Sequence, residues 1–345
     1  MHEVLDVAAG WYRHGTPFAL AHVVRVFGSA PRLPGMAMAV AASGEVVGSV
    51  SGGCIEGAVY EECLSVLANG QPVSRTYGVA DDDAFAVGLT CGGDIDIFIE
   101  LVDRERHPLF LDIAAAVERG EPVAIATVVR GESAGAHAAV TPEGAVGEPA
   151  HVEVVRPMLE RGSTELVDDL LFVESFVAPP RLIVFGATDF ARALVSAAKL
   201  LGFHVTVCDA RAVFATELRF PDADEVVVDQ PYRYLDGTKV DSRTVLCVLT
   251  HDPKFDVPLL EVALRSPVGY IGALGSRRTH DDRLSRLRAA GLSESELARL
   301  RSPIGLDLGA STPQETAVSI LAEVIAARSH ASGQPLATTN GPIHS

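Results

Sequence analysis

The sequence predicts an α/β protein, in which an amino-terminal α+β domain is followed by a Rossmann-like domain with a parallel sheet. Residues 181–271 alternate apolar strand-like runs with helical patterns, an arrangement typical of a parallel sheet covered by helices. Residues 1–175 mix short strand patterns with few helices, and Ala178-Pro179-Pro180 indicates a stiff linker. We expect domains at 1–175 and 181–328 and a flexible tail at 329–345.

Composition and charge limit the function classes. The 345 residues suffice for two cores, and 48% hydrophobic with 21% charged residues is ordinary for a globular protein. A formal net charge of −17 argues against nucleic-acid binding, because clustered Lys and Arg are what hold phosphate backbones. No run reaches the length of a membrane span and the first residues lack a signal-peptide pattern, so we expect a cytoplasmic protein. Five cysteines, an odd number, fit a reducing compartment.

Local patterns predict the elements of the first domain in order. Apolar periodicity and turn residues give a helix, three strands, a second helix that ends at Asn69-Gly70, a long strand, a third helix and further weak strands up to Phe172. The predicted ranges are 4–13, 18–27, 36–40, 45–50, 55–67, 95–101, 108–119, 123–129 and 138–141.

A glycine-rich loop with a cysteine lies between the third strand and the second helix. It contains Ser51, Gly52, Gly53 and Cys54, and a helix follows at once. Backbone N–H groups at such a helix start can bind an anion, and the same field can lower a cysteine pKa to roughly 3.5–7.5. Cys54 is therefore a candidate reactive thiol. The alternative is that the glycines form turns and Cys54 is a small buried hydrophobic residue.

Other residues of this domain extend the candidate site. Cys91 lies in a second glycine loop with Gly92 and Gly93, just before the long strand, and is the second candidate thiol. Arg32 lies in a turn-rich loop, where its guanidinium could hold a phosphate or simply be solvated. Glu56 falls in the first turn of the helix after Cys54, where we assign it a capping role first and proton transfer second.

The second domain opens with half of a dinucleotide-binding pattern. A strand at 181–185, the turn at Gly186, a helix to 201 and a strand at 204–208 precede Asp209, a possible ribose ligand. Thr188 occupies the position where a second glycine would let the backbone approach a pyrophosphate. The fold is therefore predicted more firmly than the nucleotide, and Asp209 could also be an ordinary loop residue.

Further strand and helix patterns continue this domain, at 225–228, 244–249, 257–264 and 268–271. His251 and Asp252 follow a strand end and could handle protons together. Gly275, Ser276 and Arg277 combine a strand end, a glycine turn and a helix start, which favours anion binding. Alternatively, Arg277 and Arg278 cap acidic helices nearby.

Several of these stretches resemble one protein family. The runs 28–32, 48–57 and 88–93 closely resemble the amino-terminal domain of the XdhC/CoxI family, and 270–278 and 303–309 resemble its second domain. The resemblance extends over about residues 5–328. The family comprises accessory proteins of molybdenum enzymes of the xanthine dehydrogenase and carbon monoxide dehydrogenase type.

The resemblance implies a cofactor chaperone rather than an oxidoreductase. Such a protein would bind molybdenum cofactor (molybdopterin), assist its sulfuration by a partner cysteine desulfurase, and transfer it to the apoenzyme of a molybdenum hydroxylase. Glycine loops and arginines suit the phosphate of this cofactor, while a Cys54 or Cys91 thiolate suits a soft metal, with Cys54 as the metal ligand, or a transferable sulfur. A homodimer is compatible with this role.

Two alternatives remain from the residues. An NAD(P)-dependent oxidoreductase would use Gly186 and Asp209, and a thiol redox sensor would use Cys54. The cysteines show no iron–sulfur spacing, so the chain does not resemble an iron–sulfur component of a dehydrogenase.

Overall fold

The computed structural model describes residues 2–27, 33–78, 93–147, 151–250 and 252–340. The chain separates into two compact units, one extending to Ala178 and the other covering Pro179–Asn340. Antiparallel sheets lie in the first unit and a parallel sheet lies in the second, so the predicted fold class is confirmed. None of the helices in these described ranges is long and apolar enough to cross a membrane.

A five-stranded antiparallel sheet of order β3-β2-β1-β5-β4 begins the first unit. Its elements, with the two helices that pack on it, are α1 (His2–Arg13), β1 (Phe18–Phe27), β2 (Ala37–Ala41), β3 (Val46–Gly48), α2 (Glu56–Asn69), β4 (Val73–Tyr77) and β5 (Asp94–Val102). All but β4 follow the predicted pattern. Gly70 ends α2 in the left-handed conformation, with φ of 70°, as its sequence position predicts.

The central strand β1 is buried on both faces. Leu20 packs with the apolar side of α1, while Ala19 and Ala21 pack against Val59 and other apolar residues of α2. Successive side chains of a strand point to opposite faces, so one apolar strand can support a helix on each side. This packing fixes α2, and with it the cysteine loop, against the sheet.

A second five-stranded antiparallel sheet, of order β8-β7-β6-β10-β9, completes the unit. Its elements are α3 (Phe110–Glu118), β6 (Val123–Val128), β7 (His137–Val140), β8 (Ala145–Gly147), α4 (Val152–Arg161), β9 (Glu165–Val167) and β10 (Leu171–Phe176). The expectation of only weak strands up to Phe172 was wrong at α4. Val155, Met158 and Leu159 of α4 are buried at helical spacing, but Pro157 inside the helix obscures that signal.

The second unit is a six-stranded parallel sheet of order β13-β12-β11-β14-β15-β16, which is the 3-2-1-4-5-6 order of the Rossmann fold. Apolar clusters lie on both faces, one with the helices at 189–200 and 313–329 and one with the helices at 253–263 and 277–289. Its elements are β11 (Arg181–Phe185), α5 (Asp189–Leu200), β12 (His204–Cys208), β13 (Glu225–Val227), α6 (Pro231–Gly237), β14 (Val245–Val248), α7 (Pro253–Ala263), β15 (Tyr270–Ala273), α8 (Arg277–Ala289), α9 (Glu294–Leu297), β16 (Leu300–Arg301) and α10 (Pro313–Ser329).

A buried ion pair lies beneath the carboxyl edge of this sheet. Arg283 of α8 donates to Asp256 of α7 at 3.1 Å, to Ser302 Oγ at 2.9 Å and to the Leu274 carbonyl at 2.9 Å. Both charged side chains are at most 5% exposed. The Asp256 carboxylate also accepts from the hydroxyl of Thr250, so the pair connects two helices with the loops after β14 and β15.

Candidate functional site

The cysteine loop covers residues 49–55, between β3 and α2. Strand, loop and helix therefore follow one another as the sequence predicts. Gly48, Gly52 and Gly53 all have positive φ, of 83°, 82° and 122°. Only glycine adopts such angles without strain, which explains why the turn is rich in glycine.

The carboxylate of Glu56 occupies the centre of this loop. It accepts backbone N–H groups from Ser51 at 2.9 Å, Gly52 at 2.8 Å and Gly53 at 2.8 Å. It also accepts the hydroxyls of Ser49 at 2.7 Å and Ser51 at 2.5 Å. The chain thus supplies its own anion to the N–H groups that sequence reasoning assigned to a phosphate.

These contacts change the acidity of Glu56. Burial alone would raise its pKa, but the hydrogen bonds from Ser51 and Ser49 outweigh that effect and lower the pKa to about 2. The carboxylate is therefore ionised at neutral pH. An external phosphate would reach the N–H groups of Ser51, Gly52 and Gly53 only by displacing this charge. Through these hydrogen bonds Glu56 orders the loop.

Replacing Glu56 with glutamine is expected to lower the free energy of unfolding of the first unit by about 1–2 kcal/mol. Hydrogen bonds to a charged group contribute about 1.5–3 kcal/mol, reduced here because the side chain is only partly buried. Urea unfolding followed by the fluorescence of Trp11, the single tryptophan of the chain, would measure it.

The matched control is Glu61→Gln, since Glu61 is exposed on the same helix α2. A change within about 0.5 kcal/mol is expected there. Equal losses in the two variants would contradict the ordering role of Glu56.

Cys54 lies at the end of the ordered loop. Its N–H donates to the Ser51 hydroxyl at 3.0 Å, and its partly buried side chain packs beside the apolar cluster containing Val50, Ile55 and Val59. Helix α2 begins two residues later, at Glu56, so the thiol lies at a helix start.

The deeply buried cysteines differ from Cys54. Cys63 and Cys208 have no exposed surface, and burial raises the pKa of each to about 12. Burial also raises the pKa of Cys247. A thiol that remains protonated is a poor nucleophile and metal ligand. These three cysteines are core residues, as the sequence predicts.

Several predicted site residues lie outside the described ranges, namely Arg32, Cys91, Gly92 and His251. Gly93, the residue before β5, is described and buried. The roles of Cys91 and Arg32 in cofactor binding therefore stay predictions.

In the second unit, Gly186 and Asp209 meet at the carboxyl edge of the sheet. The Ala187 N–H donates to Asp209 Oδ2 at 2.7 Å, directly after Gly186. A Cβ on Gly186 would lie 2.8 Å from Thr250 Cγ2, so the glycine is required by the close approach of the neighbouring loop. Thr188 caps α5 by accepting the Ala191 N–H at 3.2 Å.

A cavity of about 550 Å³ opens at this edge, lined by Asp209, Arg211, Thr250 and Lys254 among others. Asp209 is already bound by Arg211, through Nε at 2.9 Å and Nη2 at 2.7 Å. Burial alone would raise the pKa of Asp209, but these hydrogen bonds lower it below its ordinary value. A ribose would have to compete with Arg211 for this carboxylate. Asp252 serves as the cap of α7, accepting the Lys254 N–H at 3.1 Å.

Gly275, Ser276 and Arg277 form the turn into α8. Ser276 caps the helix by accepting the Thr279 N–H at 3.1 Å, and Arg277 is exposed. These residues follow β15, which is separated from β11 by β14. They are therefore apart from the Gly186 turn along the edge of the sheet, and their anion-binding role stays a prediction.

Sequence reasoning missed a cluster of titratable residues in the first unit. Glu100 of β5, His107 and His137 of β7 place their side-chain ligand atoms within 4.8 Å of one another. Burial alone would raise the pKa of Glu100, but His137 and His107 lower it well below its ordinary value. Burial would lower the pKa of His137, and Glu100 raises it instead. One signal was present, since Glu100 is a charged residue between the apolar stretches 97–99 and 101–102 of the strand.

The chain is thus a two-domain α/β protein that carries a cysteine loop on an antiparallel-sheet domain and continues into a Rossmann-like domain. Residues 11–78 match the family model described as XdhC and CoxI family, and residues 182–324 match that of the XdhC Rossmann domain. The chain belongs to the XdhC and CoxI family.

Three relatives are similar to this chain over most of its length. The chain is 28% identical to the molybdenum cofactor insertion chaperone PaoD of Escherichia coli, over 95% of this chain and 88% of PaoD. It is 29% identical to a protein of Bacillus subtilis named as a probable xanthine dehydrogenase component, over 90% of this chain and 92% of that protein. It is also 28% identical to the uncharacterized protein YqeB of Escherichia coli, but spans only 47% of YqeB.

A solved structure has the same fold. The crystal structure of a protein described as a xanthine dehydrogenase from Bacillus halodurans superposes with a TM-score of 0.65 at 28% identity. The match covers 98% of this chain and 97% of the other. None of the relatives named here is described as binding a nicotinamide nucleotide, so NAD(P) gains no support from them.

Proposed function

We propose that this protein is a maturation chaperone that binds molybdenum cofactor and delivers it to a molybdenum enzyme of the xanthine dehydrogenase type. The observation that carries the proposal is the Cys54 thiol at the end of a loop ordered by Glu56, in a chain of this family. PaoD, named as a molybdenum cofactor insertion chaperone, supports the same role.

Cys54 is the residue that we assign to the cofactor. Molybdenum cofactor brings a soft metal, for which a thiolate is a suitable ligand, and a phosphate. Because the loop N–H groups donate to Glu56, we assign the phosphate to other groups, with Arg32 and the Cys91 loop as the predicted candidates. The ordered loop then holds the Cys54 thiol in a fixed position.

The partners follow from the same proposal. The recipient would be the apoenzyme of a molybdenum hydroxylase, in keeping with the xanthine dehydrogenase name of the Bacillus subtilis relative. A cysteine desulfurase as sulfur source, a homodimer and a cytoplasmic location are further predictions of this role.

Cofactor retention tests the proposal. The protein would be incubated anaerobically with molybdenum cofactor and desalted, and the retained pterin fluorescence and molybdenum would be measured. Wild-type protein is expected to retain both. Cys54→Ala is expected to retain at least about tenfold less. Loss of a residue that merely supports a metal ligand already lowers metal affinity about 10–100-fold.

Cys63→Ala is the matched control, because Cys63 lies on α2 but is buried with a raised pKa, and it should retain the cofactor like the wild type. Equal retention by Cys54→Ala would remove the thiol role. No retention by any of the three proteins would reject the chaperone proposal and direct attention to nucleotides at the 550 Å³ cavity.

A further inference from the structure

The Glu100–His107–His137 cluster joins three separate elements of the first unit. Glu100 lies near the carboxyl end of β5, His107 lies between β5 and α3, and His137 is the first residue of β7. Their side chains are 5%, 11% and 16% exposed. The cluster is therefore almost fully removed from bulk water, although all three side chains are polar.

The separations within the cluster match those of zinc ligands. His137 Nε2 lies 2.8 Å from Glu100 Oε2, and His107 Nε2 lies 3.5 Å from the same oxygen. Ligands of a tetrahedral zinc ion with bonds of about 2.0–2.1 Å lie roughly 3.3 Å apart. Small side-chain movements would therefore suffice to place an ion among these atoms.

A second buried carboxylate on the same strand provides a contrast. Asp96 lies on the same face of β5 as Glu100, because side chains two and four positions apart share a face. Arg25 binds Asp96 at 2.7 Å, and the Thr76 hydroxyl donates to it at 2.6 Å. Asp96 thus has a permanently charged partner and is a structural ion pair. Glu100 has imidazoles instead, and imidazole is a metal ligand.

His107 is not satisfied as a hydrogen-bonding residue. Neither Nδ1 nor Nε2 of its ring makes a hydrogen bond in the described part of the chain, although both are buried; Nε2 has only the 3.5 Å contact with Glu100 Oε2. A buried polar group without a partner costs about 1–3 kcal/mol. The backbone around it is well held, since the Tyr12 hydroxyl donates to the His107 carbonyl at 2.7 Å. A cation bound by one of these nitrogens would give that nitrogen a partner.

His137 has the support expected of a metal-binding histidine. Its Nδ1 lies 3.1 Å from the hydroxyl of buried Thr127, while its Nε2 faces Glu100. A hydrogen-bond partner at the second ring nitrogen orients the ring, as in most metal sites. Thr127 is thus a positioning residue for His137.

A cavity of about 420 Å³ gives access to the cluster. Glu100 and His107 line it, together with Pro72, Arg106 and Gly135 among others. An entry path is one requirement for a metal site. A three-ligand site beside a cavity also leaves a coordination position for water or another small ligand.

We propose that Glu100, His107 and His137 bind one divalent transition-metal ion, zinc by the chemistry of the two imidazoles and one carboxylate. This site is separate from Cys54 and does not depend on the proposed function. The ion would connect the second sheet, through His137 of β7, to the first sheet, through Glu100 of β5.

Metal retention by the untagged, full-length protein tests this proposal. The two candidate thiols, which could also bind zinc, would first be removed by the substitutions Cys54→Ser and Cys91→Ser. This background protein would be stripped of metal with a chelator, incubated with Zn²⁺ and desalted, and its zinc would be measured by mass spectrometry. One zinc per chain is expected. Co²⁺ in place of Zn²⁺ should give the visible absorption of a tetrahedral nitrogen–oxygen site.

His107→Ala in the same background should weaken zinc binding by about 100-fold or more, beyond the 10–100-fold that loss of a supporting residue costs. Thr127→Val should weaken it about tenfold while preserving the cobalt spectrum. His14→Ala, which removes an exposed histidine of the same unit, should bind zinc normally.

Two results would overturn the proposal. Less than a tenth of an equivalent of zinc in the background protein would show that the cluster is only a buried carboxylate–imidazole pair, whether or not the variants fold. Equal zinc retention by His107→Ala and His14→Ala, each with an unchanged circular dichroism spectrum, would place the metal elsewhere.

Discussion

Arg283→Met is expected to lower the free energy of unfolding of the Rossmann-like unit by about 3–5 kcal/mol. The substitution leaves the Asp256 carboxylate buried without its guanidinium, and breaking a buried pair from one side has a cost of this size. It also removes the hydrogen bonds to Ser302 and to the Leu274 carbonyl. Urea unfolding followed by far-UV circular dichroism would measure the loss.

Arg286→Met is the matched control on the same helix. Arg286 forms an exposed i,i+4 pair with Asp282, of the kind that contributes about 0.3–0.5 kcal/mol. Similar losses in Arg283→Met and Arg286→Met would contradict the structural role of the buried pair.

Gly48→Ala is expected to destabilise the first unit by about 2–5 kcal/mol, the sum of backbone strain and overpacking. The new Cβ would lie 2.2 Å from the Ala37 carbonyl oxygen and 2.6 Å from Val4 Cγ2, at a φ of +83°. Since Gly48 precedes the cysteine loop, cofactor retention should fall with stability. Thermal unfolding followed by Trp11 fluorescence would measure the change.

Gly52→Ala separates the cost of backbone strain from the cost of overpacking. Gly52 has nearly the same φ, +82°, but no atom lies within 4 Å of a Cβ built there. Its cost should therefore be the backbone term alone, about 1–2 kcal/mol. If Gly48→Ala were no worse than Gly52→Ala, the close contact with β2 would not be important.

The order of elements could be predicted where local signals dominate. Alternating strands and helices after residue 181 specify a parallel sheet. Ser293 with Glu296 and Thr312 with Glu315 form capping boxes, whose residue pattern is local in the sequence. Short strands such as β4, and the proline-containing α4, carry weak local signals and are stabilised by tertiary packing.

The candidate site was only partly predictable. Cys54 and the glycine loop follow from residue type and spacing, but the position of the Glu56 carboxylate depends on the positive φ angles of Gly52 and Gly53. The Glu100 cluster could not be predicted from spacing, because His137 lies 37 residues from Glu100 and is brought to it by the second sheet. Contacts between sheets have no local sequence signal.

The carboxylate within the cysteine loop has a consequence for delivery. A loop that becomes ordered only when it binds its ligand must lose that order when the ligand leaves, so ligand release is coupled to local unfolding. Here five hydrogen bonds from the loop to Glu56 hold its shape in advance. The cofactor would then bind to and leave a preorganised loop. The loop would contribute little heat-capacity change to binding and no entropic penalty for becoming ordered.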